Sequence, residues 1–306
     1  MSFAAMSEDG ADRVHVPVMA AEAEEILSAL SPSQIVDVTL GGAGHASRLL
    51  EASPRAKLFG IDQDAAAIEI AREALAKFDD RVTLVQANFA DISSVMREAG
   101  LASADAILAD LGMSSLALDD PARGFSFRLD GPLDMRMDQR ATLRAYDIVN
   151  EETEAELARM FREYGEERMP GRIARTIVEA RRKRRIETTG ELRALVERAI
   201  GPHRRGGVHP ATRTFQALRI AVNHELESLE KFLRDAPAML APGGRLAVIA
   251  YHSLEDRMVK ERFRELGRSG EYNNLTKKVI KPTNREIAQN PRSRSARLRC
   301  LERRPA

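Results

Sequence analysis

Apolar positions in the first third of the chain alternate between two periods. Between Val14 and Pro32, Ala23, Ile26, Leu27 and Leu30 recur at helical spacing and predict an amphipathic helix. The run Gln34-Ile35-Val36-Asp37-Val38-Thr39-Leu40 is short and β-branched, as expected of a strand buried on both faces. Gly41, Gly42 and Gly44 separate it from helix-like residues 45–52. The alternation then repeats. Strands are predicted from Lys57 to Ile61, ending at Asp62, from Arg81 to Gln86, ending near Asn88-Phe89, and from Ala104 to Ala109, ending at Asp110. Helices are predicted over 64–77 and 91–99 between them. Strand–helix alternation of this kind implies right-handed crossovers and a parallel sheet.

Beyond Asp110 the alternation stops. Residues 111–138 are rich in Gly, Asp, Pro and Met and read as a long irregular loop, and residues 150–201 read as helical. Thr153 with Glu156, and Thr188 with Glu191, form capping-box patterns ahead of apolar stripes. Pro210 opens one long predicted helix carrying Phe215, Leu218, Val222, Leu226, Leu229 and Phe232. Pro242-Gly243-Gly244 predicts a turn before a buried strand from Arg245 to Ala250. Thr276–Lys281 and Ala296–Glu302 alternate as two last strands, a hairpin at the sheet edge. The simplest organisation is one α/β domain over 14–114 and 209–306, an all-helical insert over 115–208, and a flexible tail at 1–13.

Composition narrows the class. The 306 residues are 43% hydrophobic and 30% charged, enough for a core and a solvated surface. One cysteine, Cys300, excludes an internal disulfide framework and a cysteine-based zinc cluster. No apolar run approaches the roughly 20 residues that span a bilayer, and no signal peptide is visible, so a cytoplasmic protein without membrane contact is expected. His203 and His209 lack metal-ligand spacing with other residues, so no metal is expected. Net charge is only +1, but cations cluster at Arg181, Arg182, Lys183, Arg184 and Arg185, at Arg204 and Arg205, and at Arg292, Arg294, Arg297, Arg299, Arg303 and Arg304. Such asymmetry suits local phosphate binding.

The glycine turn between the first strand and its helix brings backbone close to a ligand, and the helix N-terminus adds N–H donors. Asp62, at the end of the second strand, is placed to accept from two ribose hydroxyls. The turn Leu40-Gly41-Gly42-Ala43-Gly44-His45 lacks the dinucleotide spacing and its pyrophosphate logic, which disfavours a dehydrogenase. S-adenosyl-L-methionine, which carries no phosphate, fits better. Asp37 faces its cationic side, Phe89 falls where an adenine ring would lie, and Asp110 ends the fourth strand beside the expected methyl group. His252, after the fifth strand, points at the same edge as a weaker catalytic candidate.

Several longer strings resemble the bacterial ribosomal RNA small subunit methyltransferase H family, also called the MraW family. They are His15-Val16-Pro17-Val18-Met19, DVTLGGAGHASRLL at 37–50, ILADLGMSS at 107–115, DDPARGFSFRLDGPLDMRMD at 119–138, YGEER at 164–168, GRIARTIVEAR at 171–181, HPATRTFQALRIAVNHEL at 209–226 and APGGRLAVIAYHSLEDRMVK at 241–260. The resemblance implies a class I (Rossmann-like) S-adenosylmethionine-dependent methyltransferase sheet with a helical insert that recognises substrate. It implies N4-methylation of a cytidine in the decoding region, near the P site, of 16S rRNA within the small ribosomal subunit. Cofactor positions carry over onto Ala43, Gly44, His45, Asp62, Phe89 and Asp110. One further family position falls on Ala117, which offers only backbone.

Asp110 is then the expected catalytic residue, although Asp110-Leu111-Gly112-Met113 departs from the acid-or-amide, double-proline, aromatic pattern of many amino-methyltransferases. Arg123 and Arg128 flank Phe125 and Phe127, which suggests stacking faces set among charges for a turned-out base. With Arg181–Arg185 they are the expected RNA contacts. From the residues alone, a methyltransferase of another nucleic-acid or protein target and a non-catalytic RNA-binding protein stay open.

Overall fold

The computed structural model describes residues 17–201 and 209–305. The predicted tail 1–13, His15-Val16, His203, Arg204 and Arg205 lie outside them. In chain order the elements are α1 (Ala20–Ser28), β1 (Gln34–Asp37), α2 (Gly44–Ala52), β2 (Lys57–Asp62), α3 (Ala65–Ala74), β3 (Val82–Gln86), α4 (Ile92–Glu98) and β4 (Ala104–Asp110). Then follow α5 (Ser115–Asp119), α6 (Ala145–Glu151), α7 (Glu154–Glu163), α8 (Pro170–Arg181), α9 (Thr189–Ile200), α10 (Ala211–Asn223) and α11 (Glu225–Asp235). The chain closes with β5 (Leu240–Ala250), α12 (Ser253–Ser269), β6 (Tyr272–Asn274), α13 (Asn284–Gln289) and β7 (Arg297–Arg303).

Seven strands form one sheet in the order β3-β2-β1-β4-β5-β7-β6. The first five are parallel, and β7 and β6 add antiparallel at one edge. The strand order reverses between β1 and β4, so the C-terminal ends of β1, β2 and β4 open onto one crevice. Two apolar clusters cover the sheet. One joins α1, α2 and α3 to Ile35, Leu58 and Leu108, and the other joins α4, α11 and α12 to Val36, Phe59 and Ile107. Alternate residues of each strand thus face opposite clusters, as a doubly covered parallel sheet requires.

A third cluster belongs to the helical region. Leu157, Phe161, Ile173, Ile177, Leu192 and Val196 pack with Phe125, Leu133 and Met135 of the long loop. Phe215, Leu218 and Val222 of α10 share this cluster, so the expected boundary at 208/209 falls before a helix whose inward face lies in the insert's core. Thr188 and Glu191 make a reciprocal capping box, while at Thr153 only the side-chain acceptance from Glu156 N–H forms.

Three elements differ from expectation. The single helix predicted from Pro210 breaks at His224, which is left-handed (φ 50°) and caps α10 while starting α11. Asn223 beside it spends its side chain on Met137 N–H and Met135 C=O, fastening the break to the long loop. Pro242-Gly243-Gly244 lies inside β5, at a register shift against β4. A Cβ on Gly244 would sit 2.9 Å from the Ala104 carbonyl oxygen, so the pair closes here only without a side chain. The penultimate strand is β6, before the predicted Thr276–Lys281, of which only Ile280 pairs with β7. The pattern also assigns no element to 253–269, where α12 buries only Glu255, Val259 and Phe263.

Candidate active site

β1 delivers Asp37, β2 delivers Asp62 and β4 delivers Asp110 to the same edge. The turn after β1 is held by Gly41 (φ 50°) and Ala43 (φ 60°), both left-handed, before α2 begins. Gly44 lies against Pro17, where a Cβ would stand 3.2 Å from the ring. Asp62 braces this turn: its Oδ2 accepts from Gly41 N–H at 2.8 Å, and its Oδ1 accepts from Asp64 N–H at 2.9 Å. Each oxygen retains a lone pair for a hydroxyl donor.

Asp110 occupies the centre. Its N–H donates to Thr39 Oγ1 at 2.6 Å. Its Oδ1 accepts from the Tyr251 hydroxyl at 2.7 Å, and its Oδ2 lies 3.4 Å from His45 Nε2. That last approach is too poorly aligned for a hydrogen bond and leaves His45 Nε2 buried without a hydrogen-bond partner. The Asp110 side chain stays 22% exposed, open to a ligand from the crevice. Tyr251 stacks its ring edge over Gly112, whose left-handed φ of 104° turns the chain away after β4.

Electrostatics point to a positive guest. Asp37 is 1% exposed, and burial pushes its carboxyl up to about 7 despite the opposing effects of His45 and the Thr39 N–H. The charges of Asp110 and Asp62 push the same way as burial. Burial likewise pushes Asp62 up to about 6 against its backbone hydrogen bonds. Burial opposes protonation of His45, but the Asp110 carboxylate close to its Nε2, with the Asp37 charge, outweighs it and raises that imidazole. Burial and the neighbouring Asp110 charge hold Tyr251 well above its ordinary value, so its phenol stays a donor. Buried carboxylates matched by one imidazole and, among the described residues, by no Lys or Arg are stabilised by a ligand that brings further positive charge.

The remaining expected residues divide. Ala43, Gly44 and His45 sit on the turn and the first residues of α2, and His45 lies against the Asp110 carboxylate. Phe89 follows β3, half-buried, with one edge against Phe232 (ring centres 5.5 Å apart, 81°). His252 does not touch Asp110. It caps α12, accepting from Glu255 N–H, with Nε2 3.1 Å from Glu255 Oε1. Glu225, His252 and Glu255 bring ligand-type atoms within 4.8 Å of one another, and Arg219 already grips both oxygens of Glu225 at 2.7 and 2.8 Å. Burial works against ionisation of Glu255, but His252, Arg219 and the Tyr251 N–H hold its carboxyl below the ordinary range. Tyr251 and Thr39 escaped sequence reasoning as functional side chains. Tyr251 stands two residues beyond Ile249, which pairs with Asp110 across β5 and β4, and that register was the available signal.

The expected RNA contacts are largely engaged inside the molecule. Arg123 forms an ion pair with Asp64 at 2.8 Å and donates to the Arg136 and Met137 carbonyls. Phe125 is 6% exposed in the insert core, and Phe127 stacks on His209 (4.6 Å) and meets Phe215 edge-on. Phe125 thus has no free stacking face, and Phe127 already spends one face on His209. Arg181 caps α6 through the Val149 and Glu152 carbonyls, Arg184 pairs with Glu191, and Arg185 reaches the Asn150 carbonyl and Glu151. Among the described residues, Arg128, Arg182 and Lys183 are exposed and make no side-chain hydrogen bond or ion pair.

The sheet order, the glycine turn after β1 and the acids at the ends of β1, β2 and β4 define a Rossmann-like class I methyltransferase. Residues 12–304 match the model of the MraW methylase family, and the chain belongs to that family. A relative from Cyanothece sp., named ribosomal RNA small subunit methyltransferase H, is 50% identical over 290 residues, 95% of each chain. One of the same name from Symbiobacterium thermophilum is 47% identical over 304 residues, covering 94% of this chain and 96% of its own. A solved rRNA methylase from Streptococcus thermophilus aligns at 13% identity over 92% of this chain and 95% of its own, with a TM-score of 0.41.

Proposed function

We propose that this enzyme methylates the exocyclic N4 amine of a cytidine in the decoding region of the small ribosomal subunit RNA, using S-adenosyl-L-methionine. The observation that carries the reading is Asp110, fixed at the open sheet edge by Thr39 and Tyr251 with one carboxylate oxygen left to the crevice. The family and the shared name of its relatives supply the substrate class.

The cofactor fits the residues present. Asp62 suits ribose hydroxyls, the turn 41–45 suits the methionine carboxylate, and the buried Asp37 lies beside a His45 Nε2 that has no hydrogen-bond partner. Phe89 would pack on the adenine. When bound, this group supplies a methyl already activated on a sulfonium.

The chain's own work is alignment and proton handling. A cytosine amine is a poor nucleophile because its lone pair is delocalised into the ring, so holding it in line with the methyl recovers much of the barrier. Asp110 Oδ1 is occupied by the Tyr251 phenol, so Oδ2 receives the amine hydrogen and stabilises positive charge as it develops on nitrogen. Leu111 N–H is used by the Ile249 carbonyl, which fixes the backbone beneath the carboxylate.

The test is transfer of label from S-adenosylmethionine to small subunits taken from cells lacking this enzyme, followed by nucleoside mapping. Label in N4-methylated cytidine at the decoding region is the expected result. Cofactor binding with no labelled RNA would refute the substrate assignment and keep the fold.

A further inference from the structure

Residues 277–294 contain Lys277, Lys278, Lys281, Arg285, Arg292 and Arg294 against one acid, Glu286. Arg292 pairs with Asp119 at 2.7 Å, and Glu286 accepts from Met19 N–H at 2.6 Å. The other five cations are exposed and have no ion pair or side-chain hydrogen bond among the described residues. An exposed cation run with its only acid already occupied is an unmatched positive surface.

Topology puts this surface at the mouth of the active site. β7 runs antiparallel to β5, pairing Arg297 with Ala250, so the chain just before Arg297 lies at the edge where Asp110 and Tyr251 stand. Ile280 exchanges both backbone hydrogen bonds with Leu298, so residues 281–296 form an excursion over that edge. Two contacts pin the excursion. Arg292 reaches Asp119, on the segment that follows Asp110. Glu286 holds Met19, two residues from the Pro17 that covers Gly44. The Glu286 charge is also felt at the Tyr251 phenol.

We propose that the C-terminal excursion, through Lys281, Arg285 and Arg294 with Lys277 and Lys278 behind them, is the phosphate-gripping surface that holds substrate RNA across the site. The inference rests on the reading of RNA as the substrate. The Arg181–Arg185 run cannot do this as a unit, since Arg181, Arg184 and Arg185 are spent on the insert itself.

The experiment compares wild type, Lys281→Gln/Arg285→Gln/Arg294→Gln and Arg182→Gln/Lys183→Gln on undermethylated small subunits across a salt series. S-adenosylmethionine affinity serves as the check on folding. The C-terminal variant should raise KM for the particle about tenfold or more. Its log–log salt slope should fall by roughly 2 to 3, near 0.7–0.9 for each phosphate no longer neutralised, with cofactor affinity unchanged. The insert variant should change either quantity far less. Unchanged KM and slope in the C-terminal variant, with wild type labelling the particle normally, would overturn the proposal. So would loss of particle binding while a decoding-region RNA oligonucleotide still binds as to wild type, because the surface would then meet ribosomal protein. A wild type that labels no RNA fails the substrate reading instead, a distinct result.

Discussion

The sheet edge and the helical insert treat charge in opposite ways. In the insert and its loop, acids and cations meet locally: Asp134 with Arg136, Asp138 with Arg140, Asp147 with Arg144, Glu225 with Arg219. At the sheet edge, among the described residues, Asp37, Asp62 and Asp110 have no Lys or Arg partner, and the cations of 277–294 stand beside them, all but Arg292 unpaired. Burying a charge without a partner is unfavourable, so a fold that keeps such charges does so where a ligand will match them. A charge that already has its partner builds the fold.

Four variants probe that contrast. The largest effect is expected at Asp110→Ala, with kcat lowered by roughly 10²–10⁴-fold, the range for a lost proton acceptor, and thermal stability retained. Near-normal kcat in single-turnover assays would remove Asp110 from the chemistry. In the opposite region, Arg123→Ala strands Asp64, whose side chain is only 11% exposed, and should destabilise the protein by about 3 kcal/mol in denaturant titration. A variant as stable as wild type would mean that the pair is not structural. Asp62→Ala removes charged acceptors of about 1.5–3 kcal/mol each, so cofactor affinity measured by calorimetry should fall roughly 10–100-fold. The smallest effect is on stability in Arg182→Gln/Lys183→Gln, within about 0.5 kcal/mol, because neither side chain touches the fold.

The same contrast explains what the sequence could show. β1, β2 and β4 are short apolar runs, and their terminal acids declare themselves by position, so Asp37, Asp62 and Asp110 were legible from local order alone. Phe125, Phe127 and Arg123 were not. Aromatics interleaved with cations read identically whether the partner is a base or, as here, His209, Phe215 and Asp64. Arg181 looked like its neighbours until the Val149 carbonyl was found beneath it. Tyr251 could be placed on Asp110 only through the β4–β5 register, a tertiary fact. The break at His224 needed the Asn223 hydrogen bonds to a loop more than eighty positions earlier. α12 hid because its buried stripe is thin and the rest of it is charged.

Whether the unmatched acids of the sheet edge await a cationic ligand is tested most directly by the pH dependence of cofactor binding. Asp37 rises from 3.8 to about 7 and Asp62 from 3.8 to about 6 in the folded chain. Below pH 4 their contribution to stability is complete, and it is lost as pH rises through 6 and 7, because the folded protein holds protons that the unfolded chain has shed. A cation at the site favours the ionised acids, so its binding expels protons. Calorimetric titration of S-adenosyl-L-methionine from about pH 5.5 to about pH 7.5 should show affinity climbing toward about tenfold per pH unit for each proton released, with the slope reduced in Asp37→Asn. Affinity independent of pH, with no proton release in buffers of different ionisation heat, would mean that these acids do not wait for a cation.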